Sequence, residues 1–167
     1  MQINTQCVLP EVFGILSNEN FWNTMRRLTQ IKLKSLGKIP AYTKEFSVSL
    51  TLLSTKKMQE INHRYRGVDA PTDVLSFPMW EDKNGNYVPP EDWEELPLGD
   101  IVICPDVVIK NASDNGKQPY EELALVFFHS VLHLIGYDHD TEKRKDEMWT
   151  LQDELTTSLK EEFCNGK

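Results

Sequence analysis

Three of the four histidines of the chain lie within one short segment, HSVLHLIGYDH, at residues 129–139. His129 and His133 are four positions apart, so on a helix their side chains lie on the same face. Gly136 follows, and glycine adopts the positive φ of a sharp turn at no steric cost. Such a turn lets His139 return to the same point. The spacing therefore predicts that His129, His133 and His139 bind one metal ion.

Three protein ligands leave a fourth coordination position open, which is typical of catalytic zinc, whereas structural zinc is usually closed by four ligands. A catalytic zinc lowers the pKa of its bound water toward about 7, which favours hydrolysis. Asp138 and Asp140 are candidates for a fourth ligand, but we expect Asp138 instead to orient a ligand imidazole. Ser130 occupies the position where the peptidase motif HExxH has its glutamate base, which argues against a peptidase. His63 stands alone in a basic segment, and we expect it at the surface.

Composition and length limit the classes of protein to which the chain can belong. The chain has 167 residues, 40% of them hydrophobic and 26% charged, which predicts one soluble domain spanning residues 1–167. It contains no apolar run of about 20 residues and no N-terminal signal-peptide pattern, so a membrane protein is not expected. Cys7, Cys104 and Cys164 are odd in number and form no CxxC motif. We therefore expect free thiols, a reducing compartment and a cytoplasmic location.

Charge is distributed unevenly along the chain. The net charge is −8, which argues weakly against a polyanionic partner. Residues 20–70, however, carry ten Lys and Arg against three Asp and Glu, whereas residues 71–167 carry eight against twenty-one. A basic surface on an acidic protein is therefore possible, and such a surface could bind phosphate.

The hydrophobic pattern predicts an α+β fold, a sandwich of helices packed on a small mixed sheet. A central buried helix at residues 119–136 would carry the first two histidines of the cluster, because this segment is apolar on nearly every side. The other predicted helices are residues 20–37, 54–67, 105–112 and 141–163, and the predicted strands are residues 46–54, 73–78 and 99–104.

Residues 79–97 have no clear period, three prolines, an Asn-Gly pair and an excess of acidic side chains. We interpret this segment as a long loop with a hairpin at Asn84 and Gly85. Trp80 and Trp93 are expected to hold it in place by packing, and a substrate lid is the alternative.

The sequence resembles the YbeY family, bacterial single-domain metal-dependent endoribonucleases. HSVLHLIGYDH is similar to the HGxLHLxGYDH signature of that family. INHRYRGVDAPTDVLSFP at residues 61–78 and LGDIVIC at residues 98–104 resemble two further blocks, in the same order and with similar spacing. Ser130 departs from the signature, which has glycine at this position. The family layout of helices on a small mixed sheet agrees with the predicted fold.

The resemblance implies that the three histidines hold one zinc ion and that Arg66 is the functional arginine of the metal cleft. A guanidinium can donate two parallel hydrogen bonds to a phosphate and remains charged at any relevant pH. Arg66 would therefore bind the scissile phosphodiester and stabilise the transition state. Thr72, Asp73 and Ser76 lie on a strand expected to line the cleft, and we favour a structural role for them over substrate contacts.

The resemblance also implies a single-strand-specific endoribonuclease that acts in small-subunit ribosomal RNA 3′-end maturation and ribosome quality control. Its expected partners are ribosomal RNA, the small ribosomal subunit, ribosomal proteins and assembly GTPases. Two alternatives stay open at this stage. One is a hydrolase of another substrate, and the other is a non-enzymatic ribosome-assembly factor with a structural zinc.

Overall fold

A mixed sheet of four strands lies between helices in the computed structural model, which describes residues 2–5 and 14–165 and the side chains of residues 14–163. The strands are β1 (Gln2–Thr5), β2 (Glu45–Leu52), β3 (Val74–Pro78) and β4 (Glu95–Ile103). The helices that pack around the sheet are α1 (Glu19–Ser35), α2 (Thr55–Arg66), α3 (Pro105–Asp114), α4 (Pro119–Leu134) and α5 (Glu142–Asn165).

The strand order in the sheet is β1-β2-β4-β3. β1 and β4 each pair with β2 in parallel, and β3 pairs with β4 antiparallel. The outer edge of β3 is therefore free of strand partners in the described chain. This arrangement confirms the predicted mixed sheet, with the segment at residues 74–78 as an edge strand.

The two faces of the sheet are covered by different helices. Side chains alternate between the faces of a strand, so Ile101 and Ile103 of β4 join the large core formed with α1, α4 and α5. Val102, between them, packs in a smaller cluster that includes Met58 of α2 and Leu75 of β3. Helix α2 therefore lies on one face and α4 on the other, which confirms the predicted α+β class.

Helix α4 is the central helix of the larger layer. It begins with a capping box between Gln118 and Glu121, and Pro119 supplies the fixed φ that suits the first helical position. Most of its side chains are buried, and the helix packs against β3, β4, α1, α3 and α5. A helix enclosed on several sides is a rigid support for the side chains it carries, as the sequence predicts for the two histidines.

Two features differ from the sequence-based expectation. Residues 95–97, expected in the loop, belong to β4, and β1 has no counterpart among the predicted strands. The short alternation before Gly99 is interrupted by Pro97, which hides the start of β4 in the sequence. Pro97 is tolerated because the register with β2 shifts at this point, between Ser47 and Val48.

The remainder of the predicted loop has the expected hairpin. Glu81 and Tyr87 form an antiparallel bridge around the turn at Asn84 and Gly85. The rings of Trp80 and Trp93 meet edge to face with their centroids 5.0 Å apart, which confirms the predicted packing. The Trp80 ring also packs against the larger core, so the hairpin is held against the body of the protein at its base.

The thiol of Cys104 is free and buried, as expected. Cys7 and the side chain of Cys164 lie outside the described residues. None of the described helices combines the length and the apolar content that crossing a membrane requires.

Candidate metal centre

The side chains of His129, His133 and His139 converge, as their spacing predicts. One ring nitrogen of each lies within 4.8 Å of the others. His129 Nε2 and His133 Nε2 are 3.0 Å apart. The ring centroid of His139 lies 5.8 Å from that of His129 and 5.3 Å from that of His133. Helix α4 thus presents two imidazoles, and the segment after it brings in the third.

The return of the chain depends on Gly136. This residue has φ of 88°, a conformation that side chains disfavour, and it follows the last turn of α4. A Cβ atom at this position would lie 2.8 Å from Cβ of Tyr87, so the hairpin also requires a glycine here. Gly136 therefore turns the chain toward His139 and lets the hairpin pack closely over the turn.

The donor set fits a zinc ion. Zinc binds imidazole nitrogen at about 2.0–2.1 Å in a tetrahedron, so its ligand nitrogens stand roughly 3.3–3.5 Å apart. Two of the nitrogens are 3.0 Å apart and all three lie within 4.8 Å of one another, a range that includes this spacing. His129, His133 and His139 are therefore the residues that would hold the metal.

The two aspartates that are candidates for a fourth ligand are engaged elsewhere. Both carboxylate oxygens of Asp140 accept hydrogen bonds from the Arg144 guanidinium at 2.9 Å. Asp138 Oδ1 accepts a hydrogen bond from the backbone N–H of His139 at 2.7 Å. Within the described residues, the metal-ligand cluster comprises the three histidines and no carboxylate. This arrangement favours an open site over a closed structural one.

Burial keeps the two helical histidines neutral. Desolvation lowers the pKa of His129 below its usual value. Desolvation, followed by the charge of the neighbouring His129, lowers the pKa of His133 to about 4. A neutral imidazole has the lone pair that a metal ligand needs. At neutral pH, a metal ion therefore does not have to displace a proton from either ring.

A residue that sequence reasoning missed contacts the cluster from behind. Gln152, on α5, is buried, and its Oε1 lies 2.9 Å from His129 Nδ1. Leaving a buried polar group without a partner costs about 1–3 kcal/mol. The contact with His129 therefore stabilises the buried amide of Gln152. Asp138, expected to orient a ligand ring, lies beside His133 in the same cleft, and that role for it stays a prediction.

The cleft in front of the cluster opens at the free edge of β3. His133 and Asp138 line it from the α4 side, and Arg66 lines it from the end of α2. Ser76, on the edge strand, lies between them in the lining. The part of the cleft that all three histidines and Arg66 line has a volume of 360 Å³, and the adjoining part that the hairpin lines has a volume of 280 Å³. Arg66 and the two helical histidines therefore come from helices on opposite faces of the sheet and meet at its edge.

Arg66 is available to bind an anion. It is exposed at the end of α2, which stops at Gly67 in the left-handed conformation. Among the described residues, no carboxylate forms an ion pair with its guanidinium. The Arg66 guanidinium therefore places a fixed positive charge in the cleft that the three imidazoles line.

The polar residues that precede and enter β3 have local partners. Asp73 Oδ1 accepts hydrogen bonds from the Val74 backbone N–H at 2.8 Å and from Thr72 Oγ1 at 3.2 Å. The Asp73 carbonyl accepts one from the Cys104 N–H. These bonds agree with the structural role favoured for Thr72 and Asp73, although both residues also line the cleft with Ser76.

The other singled-out residues lie away from the chemistry. His63 is exposed on α2, as expected. Ser130 is fully buried, and its Oγ donates a hydrogen bond to the Val126 carbonyl one turn earlier at 2.8 Å. The extra hydroxyl is therefore satisfied within α4 and does not enter the cleft.

The hairpin at residues 81–87 forms one wall of the cavity, where Glu81, Asn84, Gly85 and Tyr87 face the turn at Gly136. The interpretation of this segment as a lid is compatible with that position, and its packing at Trp80 explains why it stays in place. A cleft with three convergent imidazoles, an open metal position and a free arginine defines the class: a candidate metal-dependent hydrolase of an anionic substrate.

Comparison with known proteins gives the family. The family model described as Endoribonuclease YbeY matches residues 15–160. A protein of Salinispora tropica named Endoribonuclease YbeY is 43% identical over 115 residues, covering 66% of this chain and 73% of that protein. One of the same name from Thermoanaerobacter sp. (strain X514) is 34% identical over 139 residues, covering 81% and 87%. The chain therefore belongs to the endoribonuclease YbeY family.

A solved structure agrees with this assignment. The solution structure of TM1509 from Thermotoga maritima is similar to this fold with a TM-score of 0.60 and 27% sequence identity, covering 98% of this chain and 91% of that one. The predicted family and the predicted class of enzyme, an endoribonuclease, are thus confirmed at the level of the family. Zinc as the metal, the roles of the site residues, and the ribosomal setting stay predictions.

Proposed function

We propose that the protein is a single-strand-specific, zinc-dependent endoribonuclease that acts in small-subunit ribosomal RNA 3′-end maturation and ribosome quality control. The observation that carries this proposal is the meeting of His129, His133 and His139 with Arg66 in one cleft. Membership of the endoribonuclease YbeY family supports RNA as the substrate. We further propose that residues 1–167 act as one domain in the cytoplasm.

The histidines would hold the zinc ion, because one ring nitrogen of each lies within 4.8 Å of the others. When bound, zinc supplies Lewis-acid polarisation of a phosphate oxygen and a more acidic water. Hydrolysis adds one water across a P–O bond, with the hydroxyl going to phosphorus and the proton to the leaving oxygen. Arg66 would bind the non-bridging phosphate oxygens and stabilise the charge that develops on them. Asp138 would help to fix the ligand rings from beside His133.

The size of the cleft supports single-stranded substrates. The part of the cleft that the three histidines and Arg66 line has a volume of 360 Å³, near the lower end of ligand pockets, which span about 300–1,000 Å³. Such a cavity admits about one nucleotide, so a flexible strand can enter it where a base-paired duplex cannot. Ser76 of the edge strand lines this part of the cleft, and the hairpin lines the adjoining part.

Ribosomal partners fit the charge of the chain. With a net charge of −8, nonspecific attraction to the RNA backbone is weak. We therefore propose that the small ribosomal subunit, ribosomal proteins and assembly GTPases deliver the RNA to the cleft. Affinity for free RNA would then be low, while activity on the assembled particle would be higher.

The testing experiment compares zinc-loaded and metal-free protein on a single-stranded RNA that carries the small-subunit 3′-end sequence. Arg66→Ala is measured beside Arg64→Ala, a matched control that removes an exposed arginine from the same helix but outside the cleft. Mass spectrometry under native conditions first counts the bound metal. Loss of an electrostatic transition-state contact typically lowers the rate about 100–1,000-fold. We expect a loss of this order for Arg66→Ala and near wild-type rates for Arg64→Ala.

Cleavage that needs both zinc and Arg66 would support the proposal. Cleavage indifferent to both would reveal a contaminating ribonuclease, and the proposal would lose its support. Absence of cleavage on free RNA and on purified small subunits, with one zinc bound, would favour a non-enzymatic assembly factor. A DNA strand of the same sequence tests the nucleophile, because DNA survives if the RNA 2′-hydroxyl attacks.

A further inference from the structure

Helix α5 carries one polar side chain on the face that it buries against the metal centre. Met148 and Leu155, one turn before and about one turn after Gln152, are 0% and 3% exposed, and Gln152 itself is 8% exposed. An amide among apolar side chains is unfavourable unless it has a hydrogen-bond partner. The partner of the Gln152 Oε1 atom is Nδ1 of His129, at 2.9 Å.

The contact has a consequence for the protonation of the His129 ring. An amide oxygen can only accept a hydrogen bond, so Nδ1 of His129 must carry the proton. In a neutral imidazole the other nitrogen, Nε2, then has the lone pair. Nε2 is also the atom that faces His133, 3.0 Å away, inside the cluster. With its oxygen facing Nδ1, the Gln152 amide matches the tautomer in which the lone pair of His129 points at the metal position.

We propose that Gln152 is a positioning residue that fixes the tautomer and the ring orientation of His129 for metal binding. The inference rests on the proposed metal site and adds to it a residue from a helix that contributes no ligand. Metal-binding histidines characteristically donate their second N–H to an acceptor that orients the ring, and loss of that acceptor lowers metal affinity.

Gln152 is better placed for this role toward His129 than Asp138 is. Asp138 Oδ1 is already bonded to the backbone N–H of His139. Gln152 approaches from α5, with only 8% of its surface exposed. Because the amide is neutral, it orients the ring without adding a negative charge to a buried site.

Two substitutions separate positioning from packing. Gln152→Met keeps the length and volume of the side chain but removes the acceptor, whereas Gln152→Glu keeps an acceptor oxygen and adds a charge. Positioning predicts that Gln152→Glu retains zinc binding and that Gln152→Met weakens it about 10–100-fold, the usual effect of losing such an acceptor. A packing role predicts the opposite order, since methionine is tolerated in an apolar layer. Gln30→Met, at an exposed site on α1, is the control.

The first readout is zinc affinity, measured by competition with a chromophoric chelator. The second is the 15N spectrum of the His129 ring in the zinc-free protein, which distinguishes the two tautomers. We expect the Nδ1–H form in the wild type and in Gln152→Glu, and a shift toward the Nε2–H form in Gln152→Met. Circular dichroism of each zinc-free variant verifies that it is folded.

Wild-type zinc affinity and an unchanged His129 tautomer in Gln152→Met would overturn the proposal. So would weaker zinc binding in Gln152→Glu than in Gln152→Met, because packing would then explain the burial of the amide. Neither readout involves RNA. If the zinc and tautomer results hold while no RNA is cleaved, the proposed enzymatic function fails and the positioning role stands.

Discussion

The three histidines of the cluster differ in how their rings are supported. His129 is held from behind by Gln152, and His133 lies half-buried one turn further along α4. His139 is exposed and depends on the turn at Gly136 for its place. The two helical rings thus form a rigid pair, and the third closes the cluster from a less constrained segment.

The histidine cluster could be predicted because helical spacing is a local property of the sequence. Two histidines four residues apart share one face of a helix. A glycine and a third histidine after them leave few arrangements other than one in which the three side chains meet. Gln152 could not be predicted in the same way. It lies 23 residues from His129, on another helix, so its contact depends on how α4 and α5 pack. Only the register of two packed helices determines which side chains meet.

Stability of the metal-free protein should fall as the pH is lowered from 6.5 toward about 4. The pKa of His133 is about 4 in the folded protein and about 6.5 in the unfolded chain. Between these values the unfolded state binds more protons. The stability that neutral His133 contributes is therefore fully present above pH 6.5 and is lost as the pH falls toward 4. Urea unfolding of chelator-treated protein across this range measures the effect.

The matched variant for this pH prediction is His133→Gln, which cannot titrate. Its stability should fall less steeply than that of the wild type between pH 6.5 and 4, because one proton-linked group has been removed. Parallel pH profiles for the two proteins would mean that His133 titrates normally in the folded state, and the effect of burial would be refuted.

At the level of elements, the site depends on where helices and strands end. Helix α2 ends at Arg66 and α4 ends at Leu134, each followed within two residues by a glycine with positive φ. Both ends reach the free edge of β3, where no further strand in the described chain occupies the space. The cleft is therefore a consequence of an edge strand with a helix terminus on either side of it.

The major helices could be predicted from hydrophobic period, but two strands show the limits of that approach. β1 has four residues, too few to establish an alternation. The start of β4 is hidden by Pro97, which is acceptable there because the register with β2 shifts. In both cases a neighbouring strand, and not the local sequence, makes the segment extended.

The hairpin at residues 81–87 should lose its order when Asp82 is replaced by alanine. Asp82 Oδ1 accepts hydrogen bonds from the backbone N–H groups of Asn84 and Asn86, at 2.8 and 2.9 Å. The side-chain and backbone hydrogen bonds from Asn86 also hold the Asp82 pKa below its usual value. Amide hydrogen exchange within residues 82–88 should therefore become faster in Asp82→Ala.

Lys83→Ala, which alters an exposed side chain of the same hairpin, is the control and should leave exchange unchanged. If the hairpin acts as a wall of the active cleft, Asp82→Ala should also raise KM for RNA more than it lowers kcat. Unchanged exchange in Asp82→Ala would show that Trp80 and the bridge to Tyr87 are sufficient to hold the hairpin.

For the whole molecule, the stability of the fold and the assembly of the metal site are largely separate. The larger core includes fully buried Phe21, Met25 and Phe128, and its residues come from α1, α4, α5 and the sheet. The histidine cluster lies at the border of that core, with His139 exposed. An apolar core of this extent does not need a metal ion to close it, in contrast to small zinc-stabilised domains.

Removal of the metal should therefore lower thermal stability without unfolding the protein. A ligand at one hundred times its Kd stabilises the folded state by about 2.7 kcal/mol. For a chain of this size, each kcal/mol shifts the Tm by roughly 2–4 °C. Zinc at that excess should thus raise the Tm by about 5–11 °C, measured by calorimetry, while the near-ultraviolet circular dichroism of the chelated protein stays native-like.

Loss of that signal on chelation would identify the metal as structural, because tryptophan and tyrosine packing would then depend on it. If removal of the metal unfolds the core, the non-enzymatic assembly factor with a structural zinc is favoured. If the core stays intact, the bound metal can exchange a ligand during catalysis without unfolding the protein.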